Sequence, residues 1–465
     1  MSRIESDFLG SLEIPDDAYY GVQTTRGVHN FHITEDSMRQ EPFFPIAYGY
    51  VKKAAALTNK ELGTIPADVA DALVWASEQL IAGKYNDQFV TDWLQGGAGT
   101  SVNMNVNEVI SNLACEHLGL PKGDKKVSPN DHANFGQSTN DTYPTALHLA
   151  LILRSNVLLK AVEELVEAFY RQAEKNKNVL KMGRTHLQDA VPMSFGQEFH
   201  GWGYTIADEI KVIKEAQQHL MTVNLGATAI GTCVTAHPEY PAKAVKRLAE
   251  ITGIPFKNSE DLIAATSDCG AYVALSSACK SLAVKLTKVC NDLRLLASGP
   301  RAGLSEIVLP QLQPGSSIMP GKVNPVIPEV TNQASFLAIG LDTTVMLAAS
   351  AGQLELNVME PVISYALYLQ MKVLTNACIA LREKCVDGIV VQADHCKDLV
   401  MGTLGIITVL KPHFGYKPCA AISREGFLTG KTLHQLIVEE KKMLTEEEFQ
   451  KVFSYENLIN PKFEE

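Results

Sequence analysis

The chain has 465 residues, too many for one small core, so two or three structural units are expected. Lys plus Arg number 41 against 52 Asp plus Glu, a formal charge of −11, which speaks against a nucleic-acid partner because such a surface needs a clustered basic face. Hydrophobic residues make up 46% and charged ones 20%, so no stretch reads as disordered.

The N-terminal MSRIESDFLGSLEIPDD is acidic and broken by Pro15, which is not the pattern of a signal or transit peptide. No window holds an uninterrupted apolar run of membrane-spanning length, so no membrane partner is expected. The nine cysteines form no CxxC and no Cys/His cluster at zinc spacing. They read as reduced, mostly buried thiols of a cytoplasmic protein, with no metal ligand set.

Residues 1–140 mix short elements with Gly-rich turns (Gly96, Gly97, Gly99) and form a first region. Within it GGAGTS at 96–101 is followed by NMNVNE, and NFGQSTNDTYPT at 134–145 closes it. Gln137, Ser138, Thr139, Asn140 and Asp141 offer hydroxyls, amides and backbone N–H groups where a helix is about to start. Helix N-termini attract anions because their first N–H groups are unpaired. Taken alone, the segment is also what an ordinary N-cap without ligand looks like.

Residues 141–396 read as long helices. Leu151, Ser155, Leu158, Val162, Leu165 and Phe169 recur every three or four positions. So do Tyr272, Leu275, Cys279, Leu282, Leu286, Val289, Leu293 and Leu296, and again Leu367, Met371, Leu374, Cys378 and Leu381. Such seams predict helices packed at shallow angles, and they are core stripes, not cofactor sites. Several of these helices are apolar on more than one face, as in LAVKL and IALRE, which predicts burial against identical chains. Strand alternation is weak and no βαβ rhythm appears. The fold class is all-α: a central bundle of very long helices flanked by two smaller, mostly helical domains. The last of these, 397–465, holds short helices after the KPHFGYKP break.

Two more polar segments interrupt this bundle. KMGRTHLQDAVP at 181–192 places Thr185 and His186 beside Arg184, just ahead of a long helix. A lone histidine in a helical protein is more often packed or solvated than catalytic. PGSSIMPGKVNPVIPE at 314–329 carries two glycines and four prolines and cannot be helix interior, yet helices flank it. Ser316, Ser317, Lys322 and Asn324 are concentrated there. Gly315 to Gly321 encloses five residues where a Walker A loop has four, and Val323 replaces its Ser or Thr, so ATP binding is not indicated. GLS at 303–305 lacks the second glycine of a nucleophile elbow.

GSSIMPGKVNP resembles the signature loop of the fumarase/aspartase superfamily, and the other two segments match its remaining motifs in the same order. The resemblance runs from DFLGSLEIPDDAYYGVQT at 7–24 to HFGYKPCAAISREGFLTGKTL at 413–433. Fumarases typically read SSND and KVNPTQCE. This chain reads Ser138-Thr139-Asn140-Asp141, KVNPVIPEV at 322–330 and ELNVMEPVI at 355–363, which is similar to aspartases. Some aspartases carry Gln at the position of His186, and that departure bears against an indispensable acid/base role for it.

The resemblance implies reversible deamination of L-aspartate to fumarate, with class II fumarate hydration of L-malate as the nearest alternative and a non-catalytic lens-type protein as a rival of another class. It implies a homotetramer whose sites are shared between subunits, and no cofactor. It nominates Ser316, in the catalytic loop 314–329, as the base, with its alkoxide stabilised by loop N–H groups and Lys322. Thr100, Ser138, Thr139 and Ser317 would face the dianionic intermediate. Thr185, Lys322 and Asn324 would hold the other carboxylate, and Asn140, Thr100 and His186, oriented by Glu329, would meet the amine. Gly315 and Gly321 would be the hinges of a closing loop.

Overall fold

A computed structural model describes residues 2–459. Five helices dominate: Thr139–Lys175, Phe195–His219, Gly270–Leu296, Val326–Ser350 and Glu360–Lys384, of 37, 25, 27, 25 and 25 residues. Every residue of the three expected seams is buried, from Leu158 and Leu275 to Leu381. The class is all-α, as the sequence indicates, with only two-stranded pairings beside the helices among the described residues. The first region is more regular than its composition suggests, holding helices Phe43–Leu62, Ala67–Ile81 and Thr100–His117.

Pro144 sits inside the longest helix and lacks the N–H that would bond the carbonyl of Asn140 one turn back. That carbonyl is satisfied from outside, by Asn224 Nδ2 at 3.0 Å. The local cost of a helix proline is thereby converted into an anchor for the helix start.

The chain divides into two compact units. The first comprises 1–160, 209–283 and 335–375. Its helices Phe43–Leu62 and Ala67–Ile81 pack together across a short turn closed by Gly63, whose φ of 68° suits a residue without Cβ. Phe44, Tyr48 and Tyr143 form an aromatic knot, with Phe44 edge-on to Tyr143 at 5.2 Å and 88°. Trp93 stacks on Tyr368 at 5.1 Å and 10°. Each such ring, fully buried, stabilises by about 2–3 kcal/mol.

The second unit comprises 161–208, 284–334 and 376–465. Here KMGRTHLQDAVP is a β-hairpin, Leu180–Thr185 against Gln188–Ser194, and not merely the approach to a helix. His186 and Leu187 form its turn with φ of 52° and 62°, the left-handed pair that matches strand twist in a two-residue connection. Strand alternation is weak there because a bulge between Met182 and Arg184 breaks it. Met182 is 2% exposed and plugs the hydrophobic cluster of the C-terminal helices, among Val400, Leu410, Leu436 and Ile437. A capping box of Thr445 and Glu448 starts one of those short helices, Glu446–Val452.

The expectation about membrane-length segments needs amendment. Thr139–Lys175, Val326–Ser350 and the helix beginning at Glu360 are long and apolar enough to cross a membrane by length and composition. Val, Ile, Leu and Ala raise their mean hydropathy, while polar residues between them keep the apolar run from being uninterrupted. The first and third bury 67% and 61% of their most apolar windows inside the protein, so their apolarity is core packing. Val326–Ser350 buries only 22% of its window, leaving Phe336, Leu337, Met346 and Leu347 exposed.

Candidate active site

In the first unit the polar segment 134–141 ends where the helix Thr139–Lys175 begins, as the sequence suggests. Ser138 Oγ accepts the N–H of Asn140 at 3.2 Å, while Asp141 Oδ1 accepts the N–H of Ser138 at 3.0 Å. This reciprocal exchange caps the helix and fixes its first turn. Asp141 is fully buried, and its other oxygen accepts the N–H groups of Gly226 and Thr228 at 3.0 and 3.1 Å. Burial raises its pKa to about 7, opposed by those three N–H groups and by the charge of Lys52.

Thr139 Oγ1 accepts Asn103 Nδ2 at 3.3 Å, which ties the start of this helix to Thr100–His117. Thr100 opens that second helix and stays exposed, its hydroxyl donating to Gly97 O at 2.6 Å. Asn140 donates from Nδ2 to Ala229 O at 2.7 Å. Thr100, Ser138, Thr139 and Asn140 thus belong to one constellation at two helix N-termini, where unpaired N–H groups make a positive end.

Gly99 sets the position of Thr100. Its φ is +90°, and an added Cβ would lie 2.2 Å from the ring of Tyr143. Gly99→Ala is therefore expected to destabilise by about 2–4 kcal/mol, combining left-handed strain with overpacking of a rigid core. A denaturant melt checks this, and a midpoint equal to that of the parent would refute it.

The second unit holds the other expected residues in two groups. Thr185 and His186 are exposed at the hairpin tip. Below them Arg184 Nη1 lies 2.5 Å from Glu306 Oε1, and Lys181 Nζ lies 2.8 Å from Glu198 and 3.9 Å from Glu306. Glu306 is completely buried and neither of its oxygens has an aligned hydrogen bond, so these contacts to it act through charge. They tie the hairpin base to the strand Ile307–Val308 that leads toward the loop.

That loop is closed at its base. Gly315 N donates to Lys322 O at 2.7 Å and Asn324 Nδ2 donates to Gly315 O at 2.8 Å. A Cβ on Gly315 would fall 2.8 Å from both Lys322 O and Asn324 N, and Gly321 has φ +79°, so both glycines are dictated by geometry. At the crown, Ser316 Oγ accepts the N–H groups of Ile318 and Met319 at 3.2 and 3.0 Å. Ser317 and Lys322 are exposed. Lys322 has no acidic partner among the described residues. Within this unit no hydrogen bond or ion pair among the described residues joins the hairpin tip to the loop, so the two remain separate groups in one chain.

Sequence reasoning passed over several residues of the first constellation. Asn103 and Asn107 lie one turn apart in NMNVNE and both donate to Asn134 Oδ1 or its neighbours. Their four-residue spacing was a signal of one shared polar face. Lys52 is 2% exposed and donates to Asn134 Oδ1 and Gln137 Oε1, and burial lowers its pKa to about 7 against the pull of Asp141. Nothing in the apolar helix around it announces this. The turn 224–235 was also missed, although it has left-handed residues at Gly226, Thr228, Gly231, Cys233 and Thr235 and supplies the partners of Asn140 and Asp141.

The structure is thus a bundle of long helices with polar loops at helix starts and a Gly-flanked serine loop. A family model described as "Lyase" matches residues 10–340, and one described as "Fumarase C C-terminus" matches 406–460. The chain belongs to the fumarase/aspartase superfamily of lyases. It is 51% identical to the aspartate ammonia-lyase of Escherichia coli (strain K12) over 463 residues, covering 99% of this chain and 97% of that one. It is 49% identical to the aspartate ammonia-lyase of Helicobacter pylori (strain ATCC 700392 / 26695), covering 99% and 98%. Among solved structures, the class II fumarase of Schistosoma mansoni superposes with a TM-score of 0.93 at 34% identity, covering all of both chains.

Proposed function

We propose that the chain converts L-aspartate to fumarate and ammonia, reversibly. A base takes the proton from the carbon beside the side-chain carboxylate, and the electron pair moves into that carboxylate to give a dianionic aci-carboxylate. The pair then returns to form the double bond as the bond to nitrogen breaks, and ammonia departs with its electrons. The proton is weakly acidic, so stabilising the dianion is the main task.

The observation that carries this reading is Ser316 Oγ accepting two backbone N–H groups. A serine hydroxyl is a poor base unless ionised, and two N–H donors on one oxygen favour the alkoxide. Thr100, Ser138, Thr139 and Ser317 are assigned to the dianion. Thr185, Lys322 and Asn324 are assigned to the other carboxylate, and Asn140, Thr100 and His186 to the leaving amine. Glu329 orients His186, and the loop closes on its two glycines.

The proposed division of labour is by region: 1–140 supplies substrate-binding loops, 141–396 the bundle and catalytic loop, 397–465 a small helical domain. We assign the working form to a homotetramer with shared sites, supported by the exposed apolar face of Val326–Ser350. The nine free cysteines support a reducing, cytoplasmic setting.

The test is ultraviolet absorbance of the fumarate double bond, with L-aspartate and L-malate offered separately. A rise with L-aspartate alone is expected, and a rise with L-malate alone would assign the chain to fumarate hydration. Lys322 carries the loop's charge, so Lys322→Met is expected to raise KM by about tenfold or more, as an anion losing its charge partner does. An unchanged KM would move that role to another cation.

A further inference from the structure

Behind the substrate-facing turn of the first unit lies a buried ammonium that the chemistry above does not use. Lys52, on the helix Phe43–Leu62, donates to Gln137 Oε1 at 2.9 Å and to Asn134 Oδ1 at 3.2 Å. Both acceptors are neutral amides. Fully buried lysines are usually found against carboxylates, and no carboxylate is in contact with this one among the described residues. The charge of Asp141 is felt at Lys52, but the Asp141 oxygens are taken by the N–H groups of Ser138, Gly226 and Thr228.

The turn that Lys52 grips is a rigid block. Asn134 Oδ1 accepts from Lys52, Asn103 and Asn107 together, at 3.2, 3.1 and 3.0 Å. Asn134 Nδ2 donates to Gln137 O at 3.2 Å, and Gln137 Nε2 donates to Ala133 O and Phe135 O. Gln137 is followed at once by Ser138, Thr139 and Asn140. When protonated, Lys52 therefore places a positive charge one turn behind the donors assigned to the dianion, in surroundings where water does not screen it.

We propose that Lys52 is a positioning residue of the site: its buried ammonium fixes the Asn134–Gln137 turn from behind, presets the Ser138 and Thr139 donors, and favours the dianionic intermediate over the substrate. The inference rests on the reaction proposed above. A residue that only filled space would support substrate-like and intermediate-like ligands equally, whereas a fixed charge discriminates between them.

Two inhibitors separate these cases. Succinate resembles the bound dicarboxylate, and the nitronate of 3-nitropropionate carries its negative charge on two oxygens as the aci-carboxylate does. Their inhibition constants are to be measured for the parent, Lys52→Met and Lys52→Gln, with circular dichroism and oligomer mass as fold controls. In both variants, affinity for the nitronate is expected to fall about a hundredfold and that for succinate by less than about fivefold, the weight of a lost preorganised stabiliser. The kcat should fall about a hundredfold while KM moves by less than about threefold, because misplaced donors harm the transition state more than binding.

Equal losses for the two inhibitors would reduce Lys52 to a packing residue and overturn the proposal. Retention of parent-like nitronate affinity by Lys52→Gln would show that the charge plays no part, and would overturn it too. Should neither variant fold, Gln137→Leu severs the shorter bond from the other side and must show the same selective loss. A parent that binds the nitronate tightly but forms no fumarate from L-aspartate would refute the reaction and leave the Lys52 comparison readable by binding alone.

Discussion

Ser316→Ala is expected to lower turnover of L-aspartate by at least about a hundredfold, the usual weight of a positioned general base. The oxygen removed is the one on which the Ile318 and Met319 N–H groups converge, so no neighbouring group is placed to take over the role proposed for it. Those two N–H groups belong to an exposed crown and are met by water in the variant. The cost in stability should stay within about 1 kcal/mol, as for other exposed loop changes. The loop base, held by Gly315, Lys322 and Asn324, is untouched. Substrate affinity should therefore change little while kcat collapses. Near-parent turnover in a folded Ser316→Ala protein would remove this residue from the mechanism.

Mixing two inactive variants is expected to restore activity. Ser316→Ala and Asn140→Ala each disable a site, one through the base and the other through the group assigned to the amine. If Ser316 and Asn140 of one site come from different chains of a tetramer, mixed tetramers contain some sites with both residues intact. Equal amounts and random assortment restore about a quarter of sites, because two independent halves multiply. The proteins are to be unfolded and refolded together and compared with each refolded alone. Activity that stays at the level of the separate variants, with mixed oligomers demonstrated by mass, would mean that one chain supplies both residues.

Much of the fold was legible in the sequence because its energetics are periodic. The seam Leu151, Ser155, Leu158, Val162, Leu165, Phe169 states a helix and its buried face at once, and all six residues are buried. The polar segments were legible for the opposite reason: Ser138, Thr139 and Asn140 or Ser316 and Lys322 have no business in a packed seam. What stayed hidden depends on tertiary pairing. The hairpin around His186 is fixed by a left-handed turn and by Met182 entering the C-terminal cluster, contacts far apart in sequence. Lys52 was passed over because the amides that receive it come from residues 134–137, more than eighty positions away.

In the tetramer proposed above, the helix Val326–Ser350 would turn this fold into a matter of mass action. Phe336, Met346 and Leu347 are 59%, 52% and 60% exposed on a lone chain. Whatever covers them lends the chain free energy that is supplied only on association, and that contribution grows with the logarithm of the free partner's concentration. The melting point is then a joint property of the sequence and the dilution at which it is measured. Dilution would weaken the helix that begins at Val326, and with it the anchor of the adjoining serine loop, so loss of activity and loss of assembly become one event.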